Sequence, residues 1–415
     1  GGFDNLKFKE FENSNFDIKE FDNLKKLISS TDLSSFDQNL LSFILSMQFD
    51  KIFFSDLSFQ HYNMWMPFGR FTDFSSEGLP LYTLDTFTIN NWSQFSFKNI
   101  LLKNFNVKTG SQEGNLGEFK IEDFKLDKSY LYNLLDQKDS QNLLLNGDYS
   151  EIFNGFDSLR NLEMKNFKTN FENEYVDDNN FYSFDSAKIS NLKFEYFGDN
   201  KNIKVPTSLD LQIKGSKYNY YQGTDYGLDM AFLDVMVDEL DYDPLRFDFA
   251  TGWKWNTNVN EISLHVDLGI TDAASLALKT DIVDLDEKFL TSQGGLLLTY
   301  FMTTPKLKEF SLSLIDSSFR NKLLNYAAKV ENMTVQQLKD FINQSIDIYS
   351  GTLGIDQGLV KEFSNSTSNF LNGNNKIILS VKPQNPVSVN DLSSDMMEQN
   401  YERLVDKLNI RISNF

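Results

Sequence analysis

Apolar and polar positions alternate through much of the first half of the chain, and the alternation breaks step at a fixed place. In Ile189-Ser190-Asn191-Leu192-Lys193-Phe194 an amide sits at the centre, and the next apolar residue follows it directly. The same template, with Asn, Asp or Glu at the break, recurs at residues 16–21, 52–59, 102–107, 119–126 and 162–167. Period-2 alternation reads as a strand with one buried face. Across the break the two apolar sets would face opposite sides of a regular strand. A bulge or tight kink at the acid or amide returns both sets to one face. The spacing of the copies is irregular, which argues for a looped antiparallel meander rather than a fixed-period solenoid.

Helical spacing interrupts the strands at residues 32–47, through Phe36, Leu40, Leu41, Ile44 and Leu45, and more briefly at 129–135. From about residue 201 the strands lengthen: 209–214 ending at Gly215, 245–250 ending at Gly252, 262–269, 274–279 and 310–315, with a hairpin turn at 269–272. After Ile315 the period becomes helical. Asp316 or Ser317 can cap a first helix, Thr334 and Gln337 form a capping box for a second, and a third runs from about 356 to Gly373. A strand at 377–381, a helix at 391–405 and a closing strand at 408–412 complete the chain. Amphipathic helices of this length need tertiary packing. Phe319, Leu323, Leu338, Phe341, Ile342 and Phe363 are therefore expected to cover the sheet of 262–268 and 310–315. The pattern predicts a mainly β (α+β) fold: a long curved antiparallel meander with a C-terminal helical cluster packed on the sheet. Three regions are expected: a repetitive meander at 1–200, a long-stranded sheet at 201–315 and a helical cap at 316–415.

At 415 residues the chain exceeds the usual size of one compact core. Aromatic residues make up 14%, with 39 Phe against 4 Trp, which suits a Phe-filled core or an apolar groove. The net charge of −20 argues against nucleic-acid partners. No cysteine is present, so disulfides, thiolate metal sites and Cys nucleophiles are excluded. The two histidines, His61 and His265, lie far apart, and a zinc site needs three or four ligands. Acidic clusters at Asp234, Asp238, Glu239, Asp241 and Asp243, and at Asp281, Asp284, Asp286 and Glu287, lack a Ca²⁺-loop pattern. No structural metal and no cofactor are expected. Ser190 and Lys193 match a Ser-x-x-Lys spacing, but three apart on a regular strand they would face opposite sides. No run approaches a membrane-spanning helix. The start at Gly1, without Met, points to a removed targeting segment or to a piece of a longer protein.

The strands around 188–194 and their copies resemble those of bacterial AsmA-like envelope proteins, with repeated apolar-x-Asn/Asp-Leu-x-apolar pieces. The stretch 312–412 is similar to the C-terminal part of an uncharacterised bacterial periplasmic family. It shares Asp316, Ser317, Phe319, Leu323, Leu324, Ala327, Ala328 and Lys329, then Val381-Lys382-Pro383 through Pro386-Val387, and a closing Leu-Asn-Ile-x-Ile strand. These resemblances imply a periplasmic or cell-surface location and no catalytic residues. The first functional expectation is a non-enzymatic protein binding lipid or another apolar ligand along a sheet face lined by Phe54, Phe105, Phe124, Phe167 and Phe194. The second is a structural or surface-assembly subunit that self-associates through sheet edges and loops. A third, weaker, is a hydrolase with an acidic site. Met64, Trp65, Met66 and Phe68 form an apolar loop that could meet a membrane or a partner, or tuck into the core.

Overall fold

The computed structural model describes residues 4–18, 47–60, 65–66, 69–70, 81–93, 96–108, 113–127, 155–173, 176–196, 204–218, 235–242, 245–285, 303–352, 357–398 and 401–414. The fold is mainly antiparallel β-sheet with a few C-terminal helices, as the pattern predicts. The backbone divides into two units, Gly1–Ser216 and Lys217–Phe415.

In the first unit, β1 (Asp4–Lys7), β2 (Glu10–Ser14) and β3 (Asp17–Ile18) are consecutive pieces of one edge, all antiparallel to β4 (Met47–Gln60). Met47, expected to end a helix, opens β4; the expected helical stretch up to residue 46 and the one at 129–135 lie outside the described residues. A two-residue hairpin, β5 (Trp65–Met66) with β6 (Gly69–Arg70), follows. Then β7 (Leu81–Ser93), β8 (Phe97–Lys108), β9 (Glu113–Leu126), β10 (Phe156–Asn173) and β11 (Val176–Tyr196) form a meander, each antiparallel to the one before. β12 (Lys204–Tyr218) is tied to β11 by Asn191 Nδ2 donating to Asp210 Oδ2 at 2.7 Å.

The breaks in the sequence pattern are left-handed residues inside strands. Asp56 (φ 48°), Asn104 (50°), Asp123 (48°), Asn166 (53°) and Asn191 (57°) all lie at the repeat's acid or amide. The copy at 16–21 places its break outside the described residues. Register is unchanged across each break. Ser55 pairs with Thr86 and Leu57 with Leu84, so Asp56 and Asp85 drop out of the ladder together. The feature is a paired notch, with no extra residue as in an ordinary bulge. Two more residues join the series. Asn91 has φ 53° in β7 and Gly215 has φ 61° in β12. Gly215 therefore does not end its strand; it supplies the left-handed position glycine adopts at no steric cost.

In the second unit a single π-helical turn (Val235–Glu239) precedes β13 (Arg246–Asn256), β14 (Glu261–Ile270), β15 (Ala274–Val283) and β16 (Lys306–Asp316), an antiparallel series whose register shifts once, between Asp281 and Ile282 of β15 against β16. Gly252 lies within β13, paired with His265, rather than at its end. Helices α1 (Phe319–Val330), α2 (Val335–Thr352) and α3 (Gln357–Asn372) follow. β17 (Lys376–Val381) returns beside β16, and β18 (Val387–Ser388) also pairs with β16. The helix expected at 391–405 is two, α4 (Val389–Met397) and α5 (Tyr401–Leu408), and β19 (Ile410–Asn414) closes against β17. The predicted capping box is present: Thr334 N–H donates to Gln337 Oε1 at 2.8 Å and Gln337 N–H to Thr334 Oγ at 3.2 Å. Ser388 and Asp391 make a second one at α4, at 2.9 and 3.1 Å. At α1 the Asp316 carboxylate accepts from Arg320 N–H at 2.7 Å.

The helical cluster differs from expectation in what it buries. α3 lies against β19 and β17, not against β14 and β16, and α2 packs on α1 and α3. Leu324, Ala328, Leu338 and Leu371 form the buried cluster, with Ile342 packed on it. Phe319 packs instead with Met236, Leu240, Tyr242, Leu245 and Ala273. Phe341 is 58% exposed, and Leu323 and Phe363 are also exposed.

Two stability outcomes follow by urea titration. Asn166→Gly should be nearly neutral and Asn166→Val should cost about 1–2 kcal/mol, because only the second change penalises the left-handed backbone. Leu338→Ala should cost about 2–5 kcal/mol, while Phe341→Ala should stay within about 0.5 kcal/mol.

Candidate functional site

The notches turn the meander into two chemically distinct faces. Between the notch lines, Phe54, Phe87, Leu102, Phe119, Met164 and Ala187 share one cross-strand row, and Ile52, Ile89, Ile100, Ile121, Leu162 and Ile189 share another. Beyond one notch line runs the row of Leu57, Leu84, Phe105, Leu116, Phe167 and Phe184. Phe54 and Leu57 are three positions apart, yet their two rows contribute to one apolar cluster. The two inner rows are half-buried apart from the buried Ala187, whereas Leu84, Phe105, Leu116, Phe167 and Phe184 in the outer row are buried.

Beyond the other notch line the rings form a ladder across the strands. Centroid separations are 6.2 Å for Phe16–Phe49, 5.9 Å for Phe49–Trp92, 5.8 Å for Trp92–Phe97 and 5.0 Å for Phe97–Phe124. The ladder continues at 6.3 Å for Phe124–Phe156 and 5.6 Å for Phe156–Phe194. These are favourable aromatic distances. The five Phe residues singled out from the repeat thus divide among three places. Phe54 is half-buried in an inner row, Phe105 and Phe167 are buried in the outer row, and Phe124 and Phe194 belong to the ladder.

The notch residues follow a simple rule. In β4 and in β7 to β11 the left-handed residue comes six positions after another residue that leaves the ladder but keeps ordinary backbone, as in Asp50/Asp56, Asp85/Asn91, Lys98/Asn104 and Arg160/Asn166. Antiparallel pairing sets the left-handed residue of one strand against the other notch residue of its neighbour. Where hydrogen bonds or ion pairs form there, the chemistry is matched. Asn104 Nδ2 donates to Asp85 Oδ2 at 2.7 Å, Asn15 Nδ2 donates to Asp50 Oδ2, Arg160 Nε meets Asp123 Oδ2 at 2.7 Å, and Lys9 Nζ lies 3.6 Å from Asp56 Oδ2. Gly117 stands where a Cβ would come within 3.0 Å of the Asn166 Cβ.

On the polar face one notch line opens into a cleft of about 400 Å³ lined by Asp50, Asn90, Asn91, Lys98, Asn99, Glu122 and Arg160. Glu122 is its electrostatic centre. It accepts from Lys120 at 2.9 Å, Asn161 at 3.0 Å and Arg160 at 3.2 Å. The Lys120 hydrogen bond, then the Asn161 one, hold its carboxyl below the usual carboxylate range against the opposing effect of burial. That direction keeps Glu122 ionised and is opposite to the tuning of a general acid. Nearby, the hydrogen bond to Glu118 at 2.9 Å raises the Lys165 ammonium above its ordinary value.

The remaining sequence candidates do not converge. Met64 and Phe68 lie outside the described residues, and Trp65 and Met66 form β5. His61 is likewise outside, while His265 pairs in the ladder with Gly252 and Lys279. Ser190 and Lys193 share the polar face, because the Asn191 notch lies between them; the expectation of opposite sides is corrected, and Lys193 bonds Glu195. Asp284 pairs with Lys306 at 2.8 Å. Among the described residues no group of three His, Cys, Asp or Glu is placed to hold a metal ion, and no helix is long and apolar enough to cross a membrane.

Residues 267–414 match a family model described only as "Uncharacterized protein". No curated protein matches the chain.

Glu122 yields a pH prediction. Its folded carboxyl ionises at lower pH than the unfolded one, so its contribution to stability is complete above the ordinary value of 4.5 and lost as pH falls through the lower folded value. Glu122→Gln should therefore flatten the loss of stability on acidification below that value, as read from denaturant midpoints across an acid pH series. An unchanged pH slope would contradict it.

Proposed function

We propose that the first unit binds the hydrocarbon part of a lipid or a similar apolar ligand along its notched sheet, without catalysis. The observation that carries this reading is the contrast between rows on one face. The outer row is largely buried, while the inner rows, from Phe54 through Met164 and from Ile52 through Ile189, keep part of their surface accessible. An extended acyl chain laid across the strands would contact these Ile, Leu, Phe and Met side chains in succession. Each methylene removed from water there contributes about 0.8 kcal/mol before ordering costs. The opposite face carries the ion pairs of Glu118, Glu122 and Glu163 with Lys120, Arg160 and Lys165, which keep it hydrated. The resemblance of the repeat strands to those of AsmA-like proteins supports the same reading, and it implies a bacterial periplasmic or cell-surface location as part of the proposal.

A fluorescent fatty acid whose emission rises in apolar surroundings tests this. Wild-type protein should bind it saturably. Phe119→Asp, in an inner apolar row, should weaken binding at least about tenfold, the factor that corresponds to roughly 1.4 kcal/mol. Thr88→Asp, on the polar face of a central strand, should leave it unchanged, with circular dichroism confirming that both variants fold. Absence of saturable binding by the wild type would overturn the proposal.

A further inference from the structure

The apolar rows of the first unit run out to an edge that is itself apolar and exposed. Phe11 pairs with Phe54, and Phe8 and Phe16 fall beside the rows of Leu57 and Phe49. Leu6, Phe8, Phe11 and Phe16 are 53%, 49%, 48% and 43% exposed. Among the described residues, β4 is the ladder partner of β1, β2 and β3, which leaves their outer backbone groups as a pairing template.

The notch rule specifies what can pair there. An incoming antiparallel strand must set its left-handed residue against Lys9 and its other notch residue against Asn15. The edge strand satisfies this against itself. With a second copy turned by a two-fold axis perpendicular to the sheet, Lys9 faces the second copy's Asn15, and Asn15 faces the second copy's Lys9. Lys-to-Asn and Arg-to-Asn notches already occur within the chain, where Lys98 lies opposite Asn91 and Arg160 opposite Asn191. In the same register Lys7 faces the second copy's Asp17, and Phe8 its Phe16, each twice by symmetry. The axis places Glu12 opposite its own copy, but Lys51 of the same chain already pairs with each Glu12. The rotation keeps both apolar faces on the same side. We infer that two copies of this chain join through β1–β3 as an isologous antiparallel edge, so that the two meanders become one continuous sheet in which the aromatic ladder of each copy meets, at Phe16 and the second copy's Phe8, the second copy's outer apolar row. This assembly does not depend on apolar-ligand binding.

Charge exchange tests it. Lys7 and Asp17 are both exposed, so their substitution leaves the monomer fold intact, as circular dichroism would verify. Sedimentation over a dilution series should show a wild-type dimer. Lys7→Glu alone and Asp17→Lys alone each bring like charges together twice and should weaken the dimer about tenfold. The double variant, and an equimolar mixture of the two single variants, should regain wild-type affinity, because each restores opposite charges at both positions. A monomeric wild type, a dimer indifferent to the single substitutions, or a dimer weakened by them and not rescued by the exchange would each overturn the inference.

Discussion

One left-handed residue per strand governs the first unit. For most L-residues that conformation costs about 1–2 kcal/mol, and Asn and Asp lower the cost through local hydrogen bonding. What the notch returns is larger. Beyond Asp56 it places both Leu57 and Phe59 on the apolar side, and beyond Asn104 both Phe105 and Val107. Full burial of each such side chain contributes about 1.5–3 kcal/mol. Two apolar residues therefore outweigh one strained backbone position, and β4 and each strand from β7 to β12 contain such a position.

The notch also explains the arrangement of charge. A residue that leaves the ladder frees backbone and side-chain groups that must find partners. Asn104 with Asp85, Asn191 with Asp210 and Asp123 with Arg160 provide them across the strands. Lys204, nearly inaccessible, meets the Asp127 carboxylate at 2.7 Å and the Phe156 carbonyl at 3.2 Å, and so joins β12 to the ends of β9 and β10. A chain of net charge −20 thus uses its cations sparingly and places several of them where the sheet departs from regular geometry.

Much of this was legible in the sequence, and the gaps have physical causes. The breaks at Asp56, Asn104, Asp123, Asn166 and Asn191 could be read because an acid or amide beside an apolar residue interrupts a period-2 pattern. Asn91 was hidden by the equally polar Asn90 before it. Gly215 looked like a strand terminus because glycine more often ends a strand than bends one. The opposing notch residues Asp85, Lys98 and Arg160 keep ordinary backbone, and their partners are distant in sequence, so nothing local marked them. The polar cleft was missed for that reason, although Glu122 belongs to the repeat copy at 119–126. In the helical region, apolar periodicity located α1 to α3 but not their partners: α2 buries Leu338 and leaves Phe341 in water because α1 and α3 together cover only part of its apolar face.

The six-residue interval between the two notch positions of a strand behaves as a ruler cut into each strand separately. Loop length does not enter it: β9 and β10 keep their notches aligned across the 29 residues from 127 to 155 that separate them, as closely as β7 and β8 do across the three residues 94–96. Hairpins can thus be lengthened, or whole strands added at an edge, without disturbing their neighbours. A single residue gained or lost inside the interval would do the opposite, throwing one strand's apolar set to the wrong side while its neighbours stayed in step. Evolution of such a sheet should run freely in its turns and be almost frozen in the spacing within its strands.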